Sequence, residues 1–528
     1  MLVLRTVRHL RPVQVAHRLR LVAQRRAIAL SPERAERLLT RPHGDVPGWP
    51  EGFRPVDAQL GPLWPDTDLL AHDRVVLLGS ERGLLDWRPA DAPQLWRYHL
   101  QYWDWAWSLA LAPDRLRGRA VHRRLWRRWQ EQSVLGRWDE WSPYVVALRA
   151  WSWCGQYDAL VRGADHEEPF LSSLALHASY LERHLELDVG GNHLVKDLKS
   201  LVSLGVFFGD RDLLDRSLRR LRREVGRQVL PDGGHVERAP AYHCQVLADL
   251  VDLDGLLGTD SPAWLGTAVR RMQAWLGLVL LPDGSVPLVN DGFPVSEELL
   301  ALLRPGPPAP DGLTVLADTG LVVLRRGGAH VLADVGLPCP DDLPAHAHAD
   351  TLGFLLTVHG RRVVSEAGTS TYRAGADRAY ERSTAAHSTV EVDGESSTEV
   401  WGAFRAARRA RPTLLGATDD GRTIVVCASH DGYRRLPGRP VHRRTWTLDD
   451  RRLRVRDELL GGGEHEVVVR LHGAVPGDVE AASGALVPEV ATVARGWEVR
   501  ERAPVLVHRA RATLSWCFEV ELPTRGET

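Results

Sequence analysis

Between about Leu95 and Leu303, apolar positions recur every three to four residues, over Tyr144–Arg162, Ser172–Leu187, His193–Phe208, Leu213–Leu230 and Tyr242–Leu257. That spacing gathers apolar side chains on one side of a helix, and short turns between helices produce antiparallel hairpins. Repeated hairpins predict a toroid or solenoid of helix pairs, although no clean sequence repeat marks a regular array. The Pro305-Gly-Pro-Pro-Ala-Pro-Asp-Gly312 stretch ends this regime, because proline lacks the amide donor and restricts the residue before it. Beyond it, short runs rich in Val, Leu and Thr predict strands: Gly320–Leu324, Ala329–Val335, Leu352–Val358, Arg362–Ser365, Thr389–Val392, Thr423–Cys427 and Glu466–Leu471. Thr445–Leu448 and Leu453–Arg456, flanking Asp449-Asp450, read as a hairpin. The organisation predicted is multidomain α+β: a basic helical segment over residues 1–45, an (α/α) toroid over 46–304 and an antiparallel β-sandwich over 313–528.

A length of 528 residues exceeds what one hydrophobic core supports, in keeping with several domains. With 67 basic and 68 acidic residues the net charge is -1, so no global field recruits nucleic acid or an anionic membrane. A polyanionic substrate would need a local basic cleft. Five cysteines scattered without C-x-x-C spacing speak against a disulfide framework and for a reducing compartment. The arginine-rich start, Met1 to Arg26, breaks its apolar runs with charge and leaves no signal-peptide core, and no integral membrane segment follows. A cytoplasmic location is expected, with a periplasmic or envelope location requiring another export route. The 19 Trp outnumber the 8 Phe and 9 Tyr and crowd into the first third. Most are expected as core anchors and the remainder as platforms for a pyranose, with Trp103 and Trp105 the candidates.

The chemistry-bearing residues fall in clusters. His346-Ala-His348-Ala-Asp350 sets two imidazoles and a carboxylate at alternate positions, which an extended backbone projects from one face. Such a set suits a zinc-like ion, or one imidazole moves protons while its neighbour holds metal. Glu366 and His387 supply a carboxylate and a third imidazole that complete a metal site with His348. Gly191-Asn192-His193 opens a helix whose free amides suit a carboxylate, the plainer alternative being that Asn192 caps the helix. In Asp232-Gly-Gly-His235-Val-Glu237-Arg238-Ala-Pro-Ala-Tyr242-His243, Pro240 starts a helix and places Tyr242 and His243 in its first turn. Pro287-Leu-Val-Asn290-Asp291-Gly292 reads as a polar turn.

Taken in order, GNHLVKDLKSL, LPDGGHVERAPAYHCQVLADL, PLVND, HAHADTLGF, EAGTSTY and RSTAAHSTVEVDG resemble the heparinase II/III family of polysaccharide lyases, as does LRTVRHLRPVQVAHRLR at the amino terminus. The resemblance implies an incomplete α/α toroid followed by an antiparallel β-sandwich, acting on an acidic, uronate-containing polysaccharide by β-elimination. It also implies roles. Asn192 neutralises the uronate carboxylate, His193 matches a histidine used in proton abstraction, Tyr242 acts as acid and often as base, and His346 reaches the sugar from the β-domain. His348, Glu366 and His387 match positions that hold a structural zinc, Glu366 standing where many relatives carry Asp, with Asp350 orienting a ligand. Arg238, His243, Asn290, Trp103 and Trp105 are the substrate-binding candidates. A proton beside a carboxylate is scarcely acidic, so the developing dianion needs such stabilisation before a base can act. Tyrosine, with a reference pKa of about 10, needs nearby positive charge for that task. Two alternatives stand beside the lyase: a glycoside hydrolase using Asp232, Glu237 and Asp291, and a non-catalytic glycan-binding or exopolysaccharide assembly protein. Oligomeric state, a dimer included, is left open.

Overall fold

The predicted helices form where their apolar spacing places them, as Pro143–Leu160, Glu167–Arg183, Gly191–Phe208, Arg211–Gln228 and Pro240–Leu257. The structure, a computed structural model, describes residues 1–60, 66–481, 484–512 and 516–523. They divide into two compact units, one of Met1–Leu10, Val229–Cys244 and Arg270–Thr528, the other of Arg11–Gln228 and Gln245–Val269. The architecture is multidomain α+β, an incomplete (α/α) toroid and an antiparallel β-sandwich.

In the helical unit, Arg211–Gln228 shows how pattern becomes packing: Leu213, Ser217, Leu221, Val225 and Gln228 form its buried stripe while most of its arginines stay in water. Gly191–Phe208 is buried on nearly every side and therefore sits inside the unit. Its two lysines are held by carboxylates, Lys196 by Asp249 at 2.8 Å, and Lys199 by Asp249 at 2.9 Å and Asp252 at 2.7 Å. Paired in this way, the buried charges join two helices without a stranded ion. Trp103 and Trp105 are both 0% exposed. Trp87 stacks on Trp103 at 5.1 Å, and Trp103 on Trp105 at 5.0 Å. The expected sugar platforms are thus core residues, because indoles enclosed by indoles present no face to a ligand.

In the sheet-bearing unit, Gly312–Leu316, Leu321–Arg326, Ala329–Asp334, Phe354–Val358 and Arg361–Val364 form a five-stranded antiparallel sheet in chain order. A six-stranded sheet follows the order Pro412–Asp419, Ile424–His430, Val441–Leu448, Arg452–Leu460, Trp516–Pro523, Glu480–Ala481. A four-stranded sheet joins Val487–Gly496, Val499–Ala512, His465–His472 and Val390–Val392. The expected hairpin turns at Asp449-Asp450 with Leu448 opposite Leu453. Cross-strand rows build the core: Val426, Trp446 and Val455 lie side by side, as do Ile424, Leu448 and Leu453, all buried. Each such side chain contributes about 1.5–3 kcal/mol by leaving water. No helix among the described residues is long and apolar enough to cross a membrane.

Candidate functional site

Residue Asn290 is the knot that gathers three distant motifs of the sheet-bearing unit. Its amide nitrogen donates to the Arg238 carbonyl at 3.1 Å, its amide oxygen accepts from the His348 backbone at 2.9 Å, and its backbone N–H donates to Asp350 at 3.1 Å. Both Asn290, at φ 55°, and Arg238, at φ 60°, sit in the left-handed region, a strain the surrounding bonds hold in place. His346–Asp350 is a loop rather than the extended strand expected. Alternation survives within it: Ala347 and Ala349 are fully buried, whereas His346 and His348 both reach Asp291.

Asp291, 0% exposed, is the electrostatic hub. It accepts from Arg378 through both oxygens, from His346 Nδ1 at 2.9 Å and from His348 Nε2 at 2.7 Å. Burial opposes its ionisation, yet the Arg378 guanidinium and the two imidazoles hold its carboxyl well below the usual range. His346 Nε2 faces Glu237 at 3.3 Å, so a carboxylate lies against each ring nitrogen and the ring has one orientation. That ring lies on Tyr242 with centroids 3.8 Å apart. Tyr242 occupies the first turn of the Pro240–Leu257 helix, and its hydroxyl meets the Tyr372 hydroxyl at 2.5 Å. Tyr372 sits under the Arg378 guanidinium at 5.0 Å and against Trp497 at 4.7 Å. Burial pushes the Tyr372 phenol well above its ordinary value, so it stays protonated and can donate.

The three residues predicted as metal ligands adjoin one another but do not converge. His387 Nδ1 engages Glu366, while its Nε2 faces His348 Nδ1 at 3.3 Å, placing Glu366 and His348 at opposite nitrogens of one ring. Among the described residues, no group of three His, Cys, Asp or Glu is placed to hold an ion. As a His348–Glu366–His387 triad the set therefore does not fit a metal. It reads instead as a chain of proton donors and acceptors. Burial alone would lower the His387 pKa, but Glu366 raises it. Burial drives His348 down to about 3, leaving it neutral between Asp291 and His387. The buried Oδ1 of Asp350 has no hydrogen-bond partner.

Within the helical unit, Gly190 caps the Gly191–Phe208 helix at φ 73° and ψ -153°, a conformation essentially reserved for glycine. Asn192 falls inside the first turn, not at the cap, and is buried. His193 Nδ1 lies 3.1 Å from Glu186, and its half-buried ring rests 4.2 Å from that of Tyr144.

The three other substrate-binding candidates, His243, Asn290 and Arg238, are engaged by protein groups. His243 is fully buried, bonded to the Met272 carbonyl at 3.0 Å and stacked 4.4 Å from Trp275, which leaves it no path to a sugar. The Asn290 amide is engaged at both ends by backbone and acts as a clamp. Arg238 directs its guanidinium to the Thr319 carbonyl. Conversely, the sequence alone points to no role for Tyr372 or Arg378. Tyr372 ends the quoted EAGTSTY motif, a usable signal, whereas nothing local singles out Arg378 among the chain's many arginines.

Fold and cluster together define a toroid-and-sandwich protein that carries a buried tyrosine–histidine–carboxylate cluster. Residues 97–304 match the heparinase II/III N-terminus and residues 308–524 the heparinase II/III-like C-terminal region, and the chain belongs to the heparinase II/III family. It is 28% identical over 460 residues to FtsZ-localized protein C of Caulobacter vibrioides (strain NA1000 / CB15N), covering 81% of this chain and 75% of that protein. It is 20% identical over 381 residues to heparin-sulfate lyase of Bacteroides stercoris, covering 64% of this chain and 54% of that enzyme. A crystal structure of heparinase III superposes with a TM-score of 0.73 at 16% identity, covering 96% of this chain and 92% of that one.

Proposed function

We propose that this protein is a lyase cleaving a uronate-containing polysaccharide by β-elimination. The observation that carries the reading is the Tyr242–His346 stack, its imidazole held between Glu237 and Asp291. In this reaction the C5 proton leaves, the C4–O4 bond breaks, O4 takes a proton, and a C4–C5 double bond remains in the uronate. Tyr242 is assigned the proton transfer to O4, with Tyr372 able to pass a proton to its hydroxyl. His346 faces the sugar. Asn192 and His193 are assigned to the uronate carboxylate and the C5 proton on the strength of the family resemblance. Asp291 and Arg378 keep His346 in place and are positioning residues. No step is routed through a metal.

Incubating the purified protein with heparan sulfate, alginate, hyaluronan and bacterial exopolysaccharides, and following the ultraviolet absorbance of the new double bond, tests the reading. Tyr242→Phe should lower the rate about 10²- to 10⁴-fold. The proposal fails if no glycan yields unsaturated product, or if a glycan that is cleaved is cleaved equally fast by Tyr242→Phe. The similarity to FtsZ-localized protein C supports a second reading, a non-catalytic role in an assembly. Glycan binding without turnover, unchanged in Tyr242→Phe, would favour it. Hydrolysis has less support, since Asp291 is saturated by Arg378 and two histidines while Asp232 accepts from Gly234 and Thr319.

A further inference from the structure

The near-zero net charge conceals a strong local one. Residues 1–30 contain seven arginines and no Asp or Glu. Within them, the Pro12–Leu30 helix docks one side on the helical unit through Gln14, His17, Leu21 and Ile28. His17 binds the Leu185 carbonyl at 2.9 Å and Gln14 the Asp188 carbonyl at 3.3 Å, fixing which face is inward. At 100° per residue, the opposite face carries Val15, Leu19, Val22 and Leu30. These are 41%, 67%, 43% and 85% exposed, a second apolar stripe on the solvent side of the same helix. Arg26 falls within the stripe, Arg18 and Arg25 along one edge and Arg20 along the other. Exposed large apolar side chains also occur at Met1–Leu4 and Val7, just before this helix in the sequence, and an apolar stripe aligned on the solvent face of one helix calls for a cover.

We propose that this outward face docks on an anionic phospholipid bilayer. Apolar side chains edged by arginines, of which Arg18 also pairs with Asp188 at 3.1 Å, suit the boundary between acyl chains and negatively charged headgroups, where the helix lies in the surface plane without crossing it. A second copy of the same face would set arginines against arginines. Nucleic acid would leave the valines and leucines in water.

Co-sedimentation of the full chain with phosphatidylcholine vesicles, and with vesicles mixing phosphatidylcholine and phosphatidylglycerol, tests the proposal. Binding is expected only with phosphatidylglycerol present, and should weaken as salt screens the arginines. Leu19→Glu combined with Val22→Glu should reduce it by about tenfold or more, and Arg26→Glu alone by roughly fivefold. All three positions are exposed, so unchanged thermal unfolding verifies the fold of both variants. Tyr242→Phe should bind vesicles like the parent. Failure to sediment with phosphatidylglycerol vesicles overturns the proposal, as does undiminished binding by both variants. Self-association abolished by Leu19→Glu and Val22→Glu, without vesicle binding, would replace the bilayer with a second copy.

Discussion

Replacing Asp291 by Asn keeps the shape of the hub while deleting its charge. Arg378 is 0% exposed and loses its carboxylate, retaining the Ala403 carbonyl as acceptor at 3.0 Å. His346 Nδ1 and His348 Nε2 must share what remains of the side chain. Breaking a buried ion pair from one side costs about 3–5 kcal/mol, because the surviving charge is stranded away from water. For a folding unit of this size that amounts to a melting point lower by roughly 6–10 °C. Circular dichroism at neutral pH measures it. Asp291→Leu combined with Arg378→Met removes both charges and should melt well above the sum of the single losses, since paired removal is far cheaper than orphaning one partner. Glycan turnover should stay low in the double variant, because His346 has lost the acceptor that orients it. A melting point for Asp291→Asn within about a degree of the parent would refute the argument, which rests on an ionised, water-excluded Asp291.

Further outcomes test other parts of the structure. Neither ring nitrogen of buried His122 has a hydrogen-bond partner, and burial holds the ring at about 3 against the ordinary 6.5. The unfolded chain therefore takes up the proton first as pH falls, and stability present above 6.5 is lost on the way down to 3. His122→Phe, among Trp103, His166 and Phe170, should gain about 2 kcal/mol relative to the parent at about pH 5 in denaturant titrations. An identical acid limb in both proteins would remove His122 from the account. Gly190→Ala should cost about 1–3 kcal/mol although nothing lies within 4 Å of the added Cβ, the penalty being purely that of the backbone conformation. Trp103→Ala should destabilise by about 3–5 kcal/mol, and at a temperature where it is folded its KM for any cleaved glycan should match the parent. A raised KM with unchanged stability would return Trp103 to the binding surface. Metal analysis of the purified protein, with melting before and after chelation, should give no stoichiometric ion and no shift. A bound ion whose removal lowers the melting point would show that His348, Glu366 and His387 rearrange around it.

Much of this protein is legible locally. A periodicity of 3.6 or 2 needs only neighbours along the chain to have a consequence, so helices such as Arg211–Gln228 and strands such as Val441–Leu448 follow from apolar spacing, and the proline-rich stretch marks where one regime yields to the other. Short motifs likewise single out polar residues that the structure brings together, Tyr242 and His346 among them. Packing partners decide the rest. Trp103 has the same composition whether it lines a cleft or fills a core, and only the indoles around it determine which. His387 carries two nitrogens, and only the positions of Glu366 and His348 on opposite sides of its ring turn three ligand-type residues into a hydrogen-bonded row. Arg378 gains its meaning from a single distant carboxylate. The Pro12–Leu30 helix has two apolar stripes in its sequence, and burial of one is what leaves the other facing out. Each of these is a question of which long-range contact forms, a quantity that depends on three-dimensional proximity and that spacing along one chain does not encode.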